Sequence, residues 1–142
     1  MAAKRGLSNY NNSNALKSAL VSKGMYPAYK SDDVLYEGSA TDIHLLHGQG
    51  DDGWFRTVNL INNATSFDFV DRNDQNLVRA WSVREIYVLV SQIEGVTSQT
   101  GFYNGTNWTY KIVRNGVTYS RNAANEQNAA CLAFTDLVND IQ

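Results

Sequence analysis

The chain has one cysteine, one proline and two histidines in 142 residues, and charged side chains make up only 18% of it. A single cysteine, Cys131, excludes a disulfide scaffold within one chain. It lies beside the apolar stripe of an expected helix, where a small core residue is the simplest reading. No segment has the run of about 20 apolar residues that a membrane-spanning helix needs, so no membrane partner is expected. Lys4-Arg5 is followed by Gly6-Leu7-Ser8-Asn9 and not by an apolar core, so no secretion signal is read. This leaves a virion or cytoplasmic location as the expectation. There is no fixed-period repeat, no low-complexity tract and no linker. The expectation is one domain over 1–142, preceded by a polar, basic arm at 1–12.

Chemistry is equally sparse. No serine sits in a glycine elbow, and adjacent carboxylates such as Asp51-Asp52 diverge. His44-x-x-His47 followed by Asp51 is the cluster with metal-ligand residue types. On a strand the odd separation sends the two histidines to opposite faces. A small metal-dependent enzyme at His44, His47 and Asp51 is therefore an alternative, not the leading reading. Asp71-x-Asn73-x-Gln75 opens like a calcium loop but has Asn76 and Ser82 where Gly and Glu are required. Gly48-x-Gly50-x-x-Gly53 has phosphate-loop spacing, yet two aspartates lie inside it and a strand follows. No cofactor or metal is expected, and no catalytic residue is assigned.

What the sequence has in quantity is asparagine, 16 residues, and a lopsided charge distribution. Residues 1–30 carry Lys4, Arg5, Lys17, Lys23 and Lys30 and no acid. The remaining residues hold seven basic and fourteen acidic groups, a net charge of −7 within an overall −2. A basic arm on an acidic body suits an anionic partner or a second copy.

Periodicity supplies the architecture. The stretch 101–141 reads as two Asn-Gly hairpins running into an amphipathic helix. If Asn104-Gly105 and Asn115-Gly116 are two-residue turns, Trp108 faces Gly101, Tyr110 faces Arg121 and Ile112 faces Tyr119. Trp108, Tyr110 and Ile112 then share one face. The helix is expected to begin at an Asn122 cap. Its stripe of Ala123, Ala130, Phe134, Leu137 and Ile141 should pack on that face, with Leu132 alone on the polar side. Upstream, Ser13 reads as a cap, Gly24 as a helix stop and Pro27 as a block to continuation, which predicts a helix at 14–23. Strands are expected at 34–37, 42–47, 54–61, 65–70 and 77–81, the third of them internal to its sheet. Within 82–94, Ser82-x-x-Glu85 has capping-box form but Ile86-Tyr87-Val88-Leu89-Val90 is β-branched and aromatic. The reading taken is one helical turn at 82–85 and a strand at 86–92.

Together these predict an α+β protein. An N-terminal helix and a C-terminal amphipathic helix flank a mostly antiparallel sheet of six to eight strands that includes a three-stranded meander. A small barrel remains open as a variant. The expected function is non-enzymatic: a structural or assembly subunit acting through protein–protein contacts with copies of itself or other subunits. A phage or viral particle component, such as a capsid, neck or tail protein, is its specific form. Lys4, Arg5, Lys17, Lys23 and Leu132 are the candidate contact residues. A nucleic-acid-binding module using the basic arm and helix is the competing reading, supported by the cation–aromatic mix of Arg79, Trp81, Arg84, Tyr110, Lys111, Arg114, Tyr119 and Arg121.

Overall fold

The structure is a computed structural model, and it describes residues 7–26, 34–39, 42–48, 54–60, 62, 64–69 and 77–141. In chain order the elements are α1 (Leu7–Ser22), β1 (Val34–Ser39), β2 (Asp42–Gly48), β3 (Trp54–Asn59), β4 (Thr65–Phe69), β5 (Val78–Arg79), α2 (Val83–Ser91), β6 (Val96–Tyr103), β7 (Trp108–Arg114), β8 (Val117–Ala123) and α3 (Glu126–Asp140). This is the α+β class. The described strands form two open antiparallel sheets and no closed barrel.

The chain divides into two compact units. One comprises Met1–Ala3, Ala15–Tyr26 and Trp81–Gln142; the other comprises Lys4–Asn14 and Pro27–Ala80.

In the first unit, β6, β7 and β8 form the meander in that order. The second hairpin has the register its Asn115-Gly116 turn dictates: Arg114 faces Val117, Ile112 faces Tyr119 and Tyr110 faces Arg121. Both turn residues have positive φ, 50° and 79°, as a type I′ turn requires. The first hairpin differs from expectation. Its loop holds four residues, because Asn104 Oδ1 accepts from the amides of Thr106 and Asn107 at 2.9 and 2.8 Å, and Asn104 N donates to Asn107 O. Pairing therefore starts at Tyr103 with Trp108, and Gly101 lies opposite Tyr110, not Trp108. The shift is two residues, so every side chain keeps its face.

Tyr110 and Ile112 are buried and Trp108 is half-buried against the helices. On α3, Ala130, Ala133, Phe134, Leu137 and Val138 are buried. Burial of side chains the size of Phe134 and Leu137 contributes roughly 1.5–3 kcal/mol each. The helix starts later than expected. Asn125 is the cap, its Oδ1 accepting from Asn128 N at 2.8 Å, while β8 runs on to Ala123. Asn122 stays in the strand and accepts from Thr109 Oγ1 at 2.7 Å. Asn128 in its first turn is buried.

Segment 82–94 is also a correction. It is the helix α2, with no strand. Ser82 Oγ accepts from Glu85 N at 3.1 Å and Ser82 N donates to Glu85 Oε1, so the capping box is complete. Ile86 and Val90 are buried and Val83, Leu89 and Ile93 pack beside them. Helical period, supported by the cap and tertiary burial, outweighs the β propensity of Ile86–Val90.

Helix α1 is longer than its expected 14–23, so Ser13 is an interior position and not a cap. Its end follows the sequence. Gly24 adopts φ 68°, Met25 N donates to Leu20 O at 2.8 Å and Gly24 N to Val21 O at 3.0 Å, a Schellman closure. Leu16, Ala19 and Leu20 join the core with Ile86, Val90, Phe134 and Leu137.

The second unit is a five-stranded antiparallel sheet in the order β4-β3-β2-β1-β5. β3 is internal, as its two-sided apolar pattern suggests. The turn after it is built by asparagine: Asn62 N donates to Asn59 Oδ1, Ala64 N donates to Asn62 Oδ1, and Asn59 N donates to Ala64 O. Val78 and Ala80 are buried beside Tyr10 and Leu60.

Candidate functional site

The first unit carries an open cleft of about 460 Å³. Arg84 and Tyr87 on α2, Gln99 and Gly101 on β6, Tyr110 on β7 and Glu126 on α3 contribute to its lining. Each arrives through local rules. The capping box fixes the start of α2, which leaves Arg84 and Tyr87 exposed on the flank of the stripe of buried Ile86 and Val90. The alternation of β6 puts Gln99 and Gly101 on the same sheet face as Tyr110. The Asn125 cap starts α3 so that Glu126 opens its first turn.

One hydrogen-bond chain stiffens the cleft. Gln99 Nε2 donates to Tyr87 O and to Ser91 Oγ, both at 2.9 Å, and Gln99 Oε1 accepts from Tyr110 OH at 2.7 Å. One amide thus joins the last turns of α2 to the sheet. Burial pushes the Tyr110 phenol up to about 12, with the negative charge of Glu126 and then Tyr87 adding to it. The phenol therefore stays protonated and serves as a donor. Gly101 leaves the strand bare beneath Glu126: a Cβ there would lie 3.1 Å from the carboxylate Cδ and Oε2 and 3.2 Å from Tyr110 Cδ2.

The residues singled out in the sequence are placed as follows. Lys4 and Arg5 lie outside the described residues. Lys17 holds its ammonium 5.6 Å from the centroid of the Tyr26 ring. Lys23 donates from Nζ to Ile141 O at the end of α3, where a cation complements the helix dipole. Leu132 is half-buried, not exposed. His44 pairs with Glu37 and Asn59 across β2, and His47 with Val34 and Arg56. Asp51 lies outside the described residues, as do 71–76 and 49–53 of the two loop motifs. Among the described residues no group of three or more His, Cys, Asp or Glu side chains is placed to hold a metal ion. No described helix is long and apolar enough to cross a membrane.

The cation–aromatic mix is largely committed to packing. Trp81 and Tyr110 are buried. Arg114 Nε donates to Glu94 O at 3.0 Å, Arg121 pairs with Asp136 at 2.9 Å, and Lys111 lies 5.5 Å from the Phe102 centroid. Cys131 is buried in the core, as its place beside the stripe implies.

Sequence reasoning missed the cleft because it made 86–92 a strand, which removes one wall. The capping box and the spacing of Val83, Ile86, Tyr87, Val90 and Ile93 were the signals that point to it. No protein-family model, no curated protein and no solved structure matches the chain.

Proposed function

We propose that this protein is a structural subunit of a larger assembly and works through protein–protein contacts, with a phage or viral particle as the specific setting. The observation that carries the reading is the meander. Among the described residues β6 and β8 each pair on one side only. Phe102, Tyr103 and Val117 on those two strands remain 40%, 56% and 50% exposed. Ser98, Thr100, Lys111, Thr118 and Ser120 are exposed on the outer sheet face and leave it weakly charged, while Thr109 on that face is buried. Unpaired edges beside exposed aromatics favour pairing with another chain. The basic 1–30 and acidic remainder of the sequence add charge complementarity between copies.

Sedimentation across a concentration series, in about 0.1 M and about 1 M salt, tests this. The expected result is a discrete oligomer that persists at high salt, because edge pairing and apolar contact are not screened. A monomer at every concentration, with salt-sensitive binding to DNA or RNA in its place, contradicts it and favours the nucleic-acid reading.

A further inference from the structure

We propose that β6 is the strand through which two copies of this chain join, antiparallel about a two-fold axis at Gly101, so that two three-stranded sheets become one. The inference rests on the assembly reading and names its partner, its edge and its register.

The ladder shows which backbone groups point outward. Asn104 N donates to Asn107 O, so these two form a hydrogen-bonded pair. From there an antiparallel ladder alternates. Phe102, Thr100 and Ser98 turn their N–H and C=O groups to β7, while Tyr103, Gly101 and Gln99 turn theirs to the open side. The second hairpin gives the same phase. Its two-residue turn makes Arg114 and Val117 a bonded pair, so Ile112 and Tyr110 bond β8, and Lys111 and Thr109 are left to bond Thr100 and Phe102. With the axis at Gly101, that residue pairs with its own copy and Gln99 pairs with Tyr103 of the partner subunit. Every outward residue of this run is then used. The ends match as well: Asn104 turns the chain away at one end, and the register shift between Val96 and Ser98 breaks the strand at the other. An axis at Thr100 would pair Gln99 with Gly101 and set Tyr103 against the irregular Thr97.

The side chains suit the same register. Exposed Phe102 lies opposite Thr100 of the partner subunit, an aromatic on a β-branched residue, and exposed Tyr103 lies opposite the partner subunit's Gln99. Gly101 at the axis lets the two backbones approach closely. Composition selects β6 over β8. β6 carries no charge and no proline, so pairing with itself sets no like charges together, whereas β8 carries Arg121.

The test mixes two full-length variants, Thr100→Cys and Phe102→Cys, with oxidised glutathione as oxidant. Both positions are exposed, and Cys131 is buried and does not compete. Across the axis they form a non-hydrogen-bonded pair, with Cα atoms about 4.5 Å apart, within reach of a disulfide. The expected result is a covalent dimer with one copy of each variant from the mixture, and no covalent dimer from either variant alone. Tyr103→Pro, which removes an outward donor, should raise the dimer dissociation constant at least about tenfold, while Ser120→Pro on the β8 edge leaves it unchanged. No cross-link in the mixture, Thr100→Cys cross-linking alone as well as the mixture does, or equal effects of the two proline variants overturns the proposal. An oligomer without the cross-link keeps the assembly reading and removes this one; a monomer at every concentration removes both.

Discussion

Tyr110 is where the residue scale is most testable. Its phenol donates to Gln99, and burial, then the charges of Glu126 and Tyr87, hold it at about 12. A group whose proton is held more tightly in the fold stabilises the fold while protonated. That contribution is complete below the ordinary phenol value of 10.0 and is lost as pH rises toward about 12. Absorbance titration of the phenols should therefore show a late-titrating tyrosine, and Glu126→Gln should move it down toward 10.0. Tyr119 is also raised, by burial first and then by its 2.9 Å hydrogen bond to Asp140, so Tyr110→Phe is needed to assign the late step. Asparagine is the other lesson at this scale. Asn59, Asn62, Asn104, Asn115, Asn122 and Asn125 hold turns, caps or a strand pair through side chain or backbone. The abundance of asparagine has a local use at these six positions.

The elements show which sequence signals suffice. Asn115-Gly116 specified its hairpin because positive φ at two successive residues leaves one economical turn. Asn104-Gly105 has the same letters but closes a four-residue loop, because the Asn104 side chain binds the backbone ahead of it. Nothing in the dipeptide distinguishes those outcomes. The faces of Trp108, Tyr110 and Ile112 were legible anyway, since a two-residue shift preserves them. In α2 a complete cap competed with five strand-favouring residues, and burial of Ile86 and Val90 decided it. That burial depends on α3 and α1, which no local window contains. Ser82→Ala should cost about 1 kcal/mol in chemical denaturation, the usual worth of a cap. Phe134→Ala, which empties the centre of the α3 stripe, should cost about 3–5 kcal/mol by the same measurement. If both changes cost under about 0.5 kcal/mol, the core of the first unit is misassigned.

At the scale of the whole molecule, the sequence carried the class and the two flanking helices, but placed a strand at 86–92 where α2 lies. It did not carry the division of the strands into two sheets, because strand pairing is set by contacts far apart in sequence. The cleft was invisible for the same reason: Arg84, Gln99, Tyr110 and Glu126 converge from four elements and carry no motif. The assembly reading places its weight on the β6–β8 sheet, whose two edges lack a strand partner among the described residues. Hydrogen exchange at increasing protein concentration reads that sheet directly. Protection of the outward amides of β6 or β8 should rise with concentration while that of β7, already paired on both sides, stays constant. Exchange at both edges that is fast and unchanged from dilute to concentrated solution would contradict the account.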